Sequence, residues 1–574
     1  MWLHGPGEKG GTELIDLSRI AELAEELLIH KDSLNCTTAV SLNSSQIQKL
    51  KAQGCSSSKW DLVKFTSESD LSLVVNCSFQ GSVNVHLPAG ILVYTSFENC
   101  NIEGPLTVRS TRDISSMTLL PGAKVEYCGS IQWDSSPGVM GAFMNAGVET
   151  GERQVPILPH FDHNDVAFLG SASGRKFIEE CILLRNGIRE KLKGVIGRNA
   201  VVTNCSCIYN SLILEKVLVK NASAVRGSIL FGGASAVDGA LIRNSVLQWN
   251  SSVDSFAIVE NSIAGECAVV ERHGKLTDSF LGADSVLGEG EVTASVVGPL
   301  TGIHHQSLLI AAMWPGGRGN IGYGANVGSN HTSRLPDQEI KPGTGQFFGL
   351  STSVKFPADF SRSPFTIIAT GLTTLPQRVS FPFSLITLPH KRPQGVPEGW
   401  NRLIPGWMLS ENLYSVLRNS WKYRKRLKAV HTSVDTSVFS DEVLLMVKDA
   451  WERLEQNSCE SMPGAGKNFI TEDDRVKGIE VFRKCLRSME LWKKYLDGSL
   501  NDSETGEMLD LLRYVRSAAI SSRMKDYTRG ERIIDDYMAV RGALEEDEFI
   551  QTLEAYCKKI IEQLDSANGS RRVN

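Results

Sequence analysis

The sequence has no run of 18 or more apolar residues, the length that about one membrane span needs. Its N-terminus, MWLHGPGEKGG, lacks the basic stretch followed by an apolar stretch that marks a secretion signal. We therefore expect no membrane span and no export, and predict an intracellular, soluble and cytoplasmic protein. The 12 cysteines include no CxxC pair, so neither a zinc ribbon nor a disulfide lattice is indicated, and we expect reduced, buried thiols.

An excess of basic charge is absent too, since the formal net charge is -5 at pH 7. A hydrophobic content of 41% is typical of an ordinary globular chain, and composition alone gives no reason to expect a nucleic-acid partner. One stretch, LRNSWKYRKRLK from Leu417 to Lys428, interleaves Trp421 and Tyr423 with basic residues, as a groove for single-stranded nucleic acid would. Because the chain is acidic overall, we favour packing of this helix against an acidic partner surface or against the solenoid.

What the chain does contain is an internal repeat. Similar phrases such as RGSILF, RNSVLQ and TDSFLG recur at spacings of 17, 17, 17, 17 and 16 residues. Their shared serines are Ser211, Ser228, Ser245, Ser262, Ser279 and Ser295. Each serine precedes a short apolar strand, and small turn residues fill the intervals, so the pattern has the period of strands and not that of a helix. The repeat predicts a β-solenoid whose coils pair their backbones with the coils above and below.

The apolar residues that follow the serines should stack from coil to coil. We assign Val246, Ile263, Phe280 and Val296 to inward-facing ladders. A coil of this length divides into three faces of six residues, of which IGRNAV from Ile196 is one. In this respect the chain resembles the hexapeptide-repeat, left-handed β-helix family of acyltransferases and sugar-nucleotide enzymes, and the resemblance implies a homotrimer with sites shared between subunits.

We predict a mainly β protein, a left-handed parallel β-helix with an inserted helix and a helical C-terminal domain. Helical periodicity in HFDHNDVAFLGSASGRKFIEECILLRNGIREKLKG marks the insertion, and amphipathic stretches after the proline-rich segment LPHKRPQGVPEGW mark the C-terminal domain. The predicted units are 1–69, an N-terminal helical cap; 70–150, a first solenoid segment; 151–194, a loop and inserted helix; 195–385, the main solenoid with the candidate site; 386–430, a connector with the basic helix; and 431–574, the helical domain.

A candidate site lies in the stretch TGIHHQSLLIAAMWPGGRGNIGYGANVGSNHTSRLPDQ, which gathers three of the 11 histidines. An imidazole titrates near neutral pH and so suits a general base. We name His304 and His305 as catalytic candidates, with His304 preferred, and expect one to face outward and the other inward because alternate strand residues point to opposite faces. The alternative is a buried histidine satisfied by backbone carbonyls, or a turn residue. With His331 the spacing does not match a three-histidine zinc site, so no metal is predicted.

Other polar residues around this stretch could bind a phosphate-bearing substrate. The candidates for substrate or phosphate binding are Arg153, Asn326, Asn330, His331, Arg334 and Lys355. Arg334 could act with Lys341 and Lys355, while solvated surface charge is the plainer interpretation. The loop that carries Arg153 could close over a ligand, or Arg153 could pair with Glu149 or Glu152. The glycines of GNIGYGANVG are more simply solenoid corners than a phosphate cradle.

Three phrases narrow the resemblance: LKAQGCSSSKWDLV from Leu50, ETGERQVPI from Glu149, and GIHHQS from Gly302. They resemble the family called domain of unknown function 4954, whose members are similar to sugar-nucleotide uridylyltransferases and acetyltransferases built on a left-handed β-helix. The resemblance covers roughly residues 40 to 430. It implies an acyl-coenzyme A or a UDP-sugar as the bound cofactor or donor. The glycine-rich, lysine-bearing loop of a pyrophosphorylase is missing, so nucleotidyl transfer by this chain alone is not expected.

Two functions of different classes remain open at this point. In the first, the protein is a transferase that binds an acyl-coenzyme A or a sugar nucleotide beside the solenoid and uses a histidine base. In the second, it is a non-catalytic scaffold that assembles with partner proteins through its C-terminal helices. The two hypotheses differ in whether the function requires a bound small molecule and in whether it requires His304.

Overall fold

The computed structural model describes residues 15–27, 35–149, 153–328, 339–529 and 547–571. The central architecture is a three-sided parallel β-solenoid, in which two long sheets of 13 and 15 strands and a third, equally continuous sheet form the sides. This confirms the predicted mainly β solenoid. None of the described helices is both long enough and apolar enough to cross a membrane.

We call the three sides face 1, face 2 and face 3. In the central coils, the strands of face 1 are Gly194–Ile196, Leu212–Ile213, Ile229–Leu230, Val246–Leu247, Ile263–Ala264, Phe280–Leu281, Val296–Val297 and Met313–Trp314. The strands of face 2 are Cys207–Tyr209, Ala224–Arg226, Leu241–Arg243, Ile258–Glu260, Lys275–Thr277, Glu291–Thr293, Leu308–Ile310 and Asn326–Val327. The strands of face 3 are Val201–Thr203, Leu218–Lys220, Ser235–Val237, Ser252–Val253, Val269–Glu271, Val286–Gly288, Gly302–Ile303 and Asn320–Ile321. The chain visits face 1, then face 3, then face 2 in every coil.

The repeated serines stand at the corner where face 2 turns into face 1. All six are buried, and in each pair of successive coils the upper serine's N–H donates a hydrogen bond to the lower serine's Oγ. The hydroxyl in turn donates to the carbonyl two residues before it in its own coil, as Ser262 does to Glu260 at 2.6 Å. One serine side chain per coil thereby supplies hydrogen-bond partners to backbone groups that would otherwise be buried and unpaired at this corner.

The predicted ladder of Val246, Ile263, Phe280 and Val296 exists and is in register, but it faces outward. Its next neighbours in sequence point into the solenoid, namely Leu247, Ala264, Leu281 and Val297. The inward assignment was therefore wrong. It failed because face 1 is covered on its outer side as well, so both alternating positions are apolar and the pattern does not distinguish them.

The cover on face 1 comes from the insertion and the N-terminal helix. In the described ranges the helices α1 to α10 are Leu17–Ala24, Ser44–Ala52, His163–Leu169, Ile178–Lys191, Trp407–Ser410, Leu413–Arg426, Asp441–Gln456, Glu472–Leu496, Asp502–Arg529 and Glu548–Arg571. Helices α1, α3 and α4 bury Ile20, Leu169 and Ile188 with the outward side chains of face 1 in one apolar cluster. The predicted helical insertion is confirmed at α3 and α4.

Coil formation begins inside the segment predicted as a helical cap. Val63–Phe65 already pairs in parallel with Val83–His86 on face 1, and Ser56–Ser57 with Ser78–Gln80 on face 2. Of the N-terminal helices, α2 joins the solenoid core through Leu50, whereas α1 lies on the outside of face 1. The 12 cysteines are all free, and most are buried.

The C-terminal helices close the far end of the solenoid. Strand Asn401–Ile404 pairs antiparallel with Leu385–Thr387, and Asn468–Phe469 extends that sheet. Helices α7 and α8 add Val447, Leu454 and Phe482 to the solenoid core. Helices α9 and α10 instead pack on α6 in a separate apolar cluster.

The basic stretch from Leu417 to Lys428 lies mostly on α6 and packs against the protein itself. Tyr423 donates a hydrogen bond to the carbonyl of Arg318 in the solenoid. Lys425 pairs with Glu548 of α10 at 2.7 Å. Burial, reinforced by Arg418 and Arg426, lowers the pKa of Lys422 to about 8. Tyr423 and Lys425 of the basic stretch are therefore engaged within the protein.

Candidate functional site

The two adjacent histidines lie at the corner where face 3 turns into face 2. The face 3 strand ends at Ile303, which points into the core and is fully buried. His304 and His305 follow in the turn, where Gln306 adopts a left-handed conformation with φ +55°. Both histidines are exposed. The expectation that one points inward was wrong, because the alternation of side chains holds only within a strand and the strand has already ended.

Each histidine is oriented by a side chain on a neighbouring coil. His305 Nδ1 lies 2.8 Å from Oε2 of Glu289, and His304 Nε2 lies 2.9 Å from Oδ1 of Asn320. The two rings stand 6.3 Å apart between centroids. Because a carboxylate only accepts hydrogen bonds, the proton of a neutral His305 is on Nδ1, which leaves Nε2 with a free lone pair.

The charge of the corner is set mainly by Glu289. The hydrogen bond from His305 holds the pKa of the Glu289 carboxyl below its usual range, and the nearby charges of Arg272 and His273 act in the same direction. Glu289 is therefore ionised near neutral pH. An imidazole held by a carboxylate in this way is the usual arrangement of a general base, since the carboxylate fixes the ring and stabilises the imidazolium that forms.

Glu289 and Asn320 were not among the residues predicted from the sequence. The coil period could have indicated Glu289, since it stands 16 residues before His305 and this coil is offset by 16 residues from the one before it. Asn320 is not at the equivalent position, because it begins the next strand of face 3 and lies in register with Gly302. Its contact with His304 could not be predicted from the period.

Two of the predicted binding residues lie on the coils beyond this corner. Asn326 begins the next strand of face 2, and two residues before it the N–H of Gly324 donates to the carbonyl of His305 at 3.0 Å. The Oδ1 of Asn326 is buried and has no hydrogen-bond partner among the described residues. Lys355 follows the face 2 strand of the coil after that and is half-buried.

Arg153 is placed elsewhere. Its guanidinium binds the carboxylate of Glu339 through two contacts of 2.6 and 3.2 Å, and Lys341 approaches the same carboxylate at 3.3 Å. The backbone at 340 continues face 1, which lies opposite the corner of the histidines in a three-sided cross-section. The structure thus does not bring Arg153 to His304 and His305. Asn330, His331 and Arg334 lie outside the described residues.

The corner is an open surface. Tyr323, on the coil above, is 50% exposed, and the Phe256 and His273 rings on the coils below stack at 5.7 Å. A ligand bound at this corner would contact this chain on one of its sides. The fold and the corner together define a three-sided β-solenoid with an exposed histidine and carboxylate pair.

Comparison with known proteins places the chain in a family. The model of the family described as "Domain of unknown function (DUF4954)" matches residues 138–434, just over half of the chain. The chain belongs to this family. The matched region contains the insertion, the central coils and the histidine corner, but not the C-terminal helices α7 to α10.

A relative and a solved structure add little about function. An uncharacterised protein of Treponema pallidum (strain Nichols) is 28% identical over 188 residues, which are 32% of this chain and 25% of that protein. The chain thus spans about a quarter of this relative's length. A second match is the crystal structure of a proposed acetyltransferase from Desulfovibrio desulfuricans G20, which is 10% identical in sequence. The match covers 64% of this chain and 79% of that protein's chain, with a TM-score of 0.11. A likeness at that TM-score supports no conclusion about fold or function.

Proposed function

We propose that the protein is a transferase in which the corner of His304 and His305 binds the acceptor and His305 is the general base. The observation that carries the proposal is the 2.8 Å hydrogen bond between His305 Nδ1 and Glu289, on an exposed solenoid corner. From the sequence we preferred His304 as the base. Its ring is held by the neutral amide of Asn320 and not by a carboxylate.

The donor is an acyl-coenzyme A or a sugar nucleotide. In the acyl case, Nε2 of His305 takes the proton of an acceptor hydroxyl or amine while that oxygen or nitrogen attacks the thioester carbonyl. The coenzyme A thiolate leaves and takes up a proton. Asn326 and Lys355 lie on the coils that follow, where they would face the polar part of the donor.

We further propose that a second copy of the chain supplies the other wall of the site. The corner is open, with His304, His305 and Gln306 all exposed, and a shared site requires a partner at that surface. A homotrimer is the assembly that the resemblance to hexapeptide-repeat proteins implies. Sedimentation velocity measures it directly, and a monomer at micromolar concentration would contradict this part of the proposal.

The experiment is a thermal-shift screen with acetyl-coenzyme A, other acyl-coenzyme A species and UDP-, GDP- and ADP-sugars, followed by a turnover assay with any ligand that binds. A ligand at 100 times its dissociation constant adds about 2.7 kcal/mol of stability. His305→Ala and Glu289→Gln should lower turnover by about a hundredfold while ligand binding persists. His390→Ala, an exposed histidine of the connector, is the matched control. Full turnover in His305→Ala would exclude the assigned base.

The second candidate is a scaffold that binds a partner protein through the C-terminal helices. Leu445 on α7 is 67% exposed and Val476 on α8 is 54% exposed, so both apolar side chains are accessible to a partner. Leu445→Glu and Val476→Glu should then abolish a co-purifying complex without lowering the melting temperature, while His305→Ala leaves the complex intact. The opposite pattern would support the transferase.

A further inference from the structure

A cleft of about 380 Å³ opens at a different corner of the solenoid, where face 1 turns into face 3. Its wall is formed by one residue of the N-terminal segment and by three successive coils. The main lining residues are Glu26, Glu215, Lys216, Gly232, Trp249 and Asn250. The cleft lies away from the His304 and His305 corner, so the two sites can be tested separately.

The indole of Trp249 is held rigidly in this wall. One face stacks on the imidazole of His431 at 4.2 Å and 14°, and Phe231 packs against it at 4.6 Å. Its Nε1 donates to Oε1 of Glu26 at 3.4 Å. His431 is itself fixed, because its ring and backbone N–H both donate to the fully buried carboxylate of Glu266. The partly exposed indole of Trp249 is therefore fixed in place beside a carboxylate.

The charge of the cleft is negative. Glu26 and Glu215 both line it, and the lysine that lines it, Lys216, is already paired with Glu215 at 2.7 Å. No Lys or Arg among the described residues forms an ion pair with Glu26. An anionic ligand would meet two carboxylates and one neutralised lysine, whereas a cation would find an ion-pair partner.

A buried histidine behind the cleft has no hydrogen-bond partner. The side chain of His160 is fully buried, and neither ring nitrogen is hydrogen-bonded within the part of the chain that the structure describes. Its Nε2 faces Oε2 of Glu26 at 3.7 Å, and its ring packs on Phe231 at 5.0 Å. The imidazole of His160 and the N–H of Trp249 thus both face Glu26, and together they hold its carboxylate at the edge of the cleft.

We propose that this cleft binds a small organic cation with a primary ammonium group. The ammonium pairs with Glu26, Glu215 adds long-range attraction, and the carbon skeleton lies along the indole of Trp249. When the ligand binds, the Glu26 carboxylate exchanges a contact with water for an ion pair with the ammonium group. The carboxylate stays close to the imidazole of His160. The site does not depend on the transferase chemistry proposed for the other corner.

The test uses pairs of probes that differ in charge. 1,4-Diaminobutane is compared with 1,4-butanediol, and glucosamine with glucose, by isothermal titration calorimetry of the full chain. Only the ammonium member of each pair should bind. Glu26→Gln should weaken binding by roughly tenfold and Glu215→Gln by roughly threefold, since Glu215 is exposed and already paired. Glu179→Gln, an exposed carboxylate on α4, is the matched control.

Three results would overturn the proposal. Equal affinity for the neutral probes would identify a cleft that recognises hydroxyl groups. Absence of binding by both ammonium probes up to about 10 mM would exclude a cation site of useful affinity. Undiminished binding in both glutamate variants, with Trp249→Phe also unaffected, would place the bound cation elsewhere on the protein.

Discussion

The backbone N–H of Ser279 donates a hydrogen bond of 3.0 Å to Oγ of Ser262, one coil below it. Both residues are fully buried at the corner between face 2 and face 1. The same relationship joins the coils from Ser211 to Ser295 and ends at the N–H of Ala312. The serine period is thus a hydrogen-bonded column, and each hydroxyl serves two coils.

Ser262→Ala should destabilise the solenoid by about 1–3 kcal/mol, because the N–H of Ser279 and the carbonyl of Glu260 both lose a buried partner. The melting temperature should fall by a few degrees, and the Ser279 amide should exchange its hydrogen faster. Ser82→Ala, at an exposed position, is the control. An unchanged melting temperature and unchanged exchange at Ser279 would show that water replaces the hydroxyl.

Glu266 ties the connector to the solenoid. Its buried carboxylate accepts hydrogen bonds from the N–H groups of Val430, His431 and Thr432 at 2.8 to 2.9 Å. Burial alone raises the pKa of Glu266, but these donors outweigh it and hold the pKa below its usual range. Glu266→Gln should release this segment, because an amide nitrogen would face backbone donors.

Limited trypsin digestion measures that release, since Lys428 stands at the start of the segment and its N–H is bound by Asp284 at 3.0 Å. Cleavage after Lys428 should be several-fold faster in Glu266→Gln than in the native chain. Glu271→Gln, a carboxylate paired with the exposed Arg272, should leave the rate unchanged. Equal rates in all three proteins would show that other contacts hold the connector.

Acid should weaken the junction between the connector and the C-terminal helices. Hydrogen bonds from Lys477 at 2.6 Å and from Lys525 at 2.9 Å lower the pKa of Glu411 to about 2. The folded state therefore favours ionised Glu411, and this contribution to stability is complete above the usual glutamate pKa of about 4.3. It is lost progressively as the pH falls from there to about 2.

The measurement is the melting temperature between pH 5 and about pH 3, the range in which the protein can still be handled. Glu411→Gln should be less stable than the native chain at pH 5 and should lose less stability on acidification. Glu398→Gln, an exposed residue of the connector, should follow the native curve. An identical pH slope in Glu411→Gln would mean that other carboxylates account for acid sensitivity.

Truncation should give different results at the two natural boundaries. A chain ending at residue 498 keeps α7 and α8 on the solenoid core. It uncovers the side chains of α6 that pack on α9 and α10, but should retain the cooperative melting of the solenoid. A chain ending at residue 430 uncovers Phe381 and Phe383 and should aggregate. Circular dichroism and light scattering measure both outcomes. Equal solubility of the two would show that the solenoid needs no cap at this end.

The repeat could be predicted because a serine recurs at the same corner of each coil, where its hydroxyl bonds backbone groups of two coils. The outward direction of Phe280 could not be predicted, because the cover on face 1 comes from α1, α3 and α4, which are distant in sequence. His304 and His305 could be identified from the sequence as an adjacent pair. The direction of their side chains could not be, because it depends on the end of the strand at Ile303. Arg153 shows the same limit, since its partner Glu339 stands 186 residues away.

The contacts of Glu26 with His160 and Trp249 have a consequence for synthesis. Glu26 leaves the ribosome early, but Trp249 is made roughly 220 residues later. At about 5–20 residues per second, α1 waits on the order of 10 to 45 s before this partner is available. Until then the apolar side chains that α1 buries on the outer side of face 1 remain uncovered.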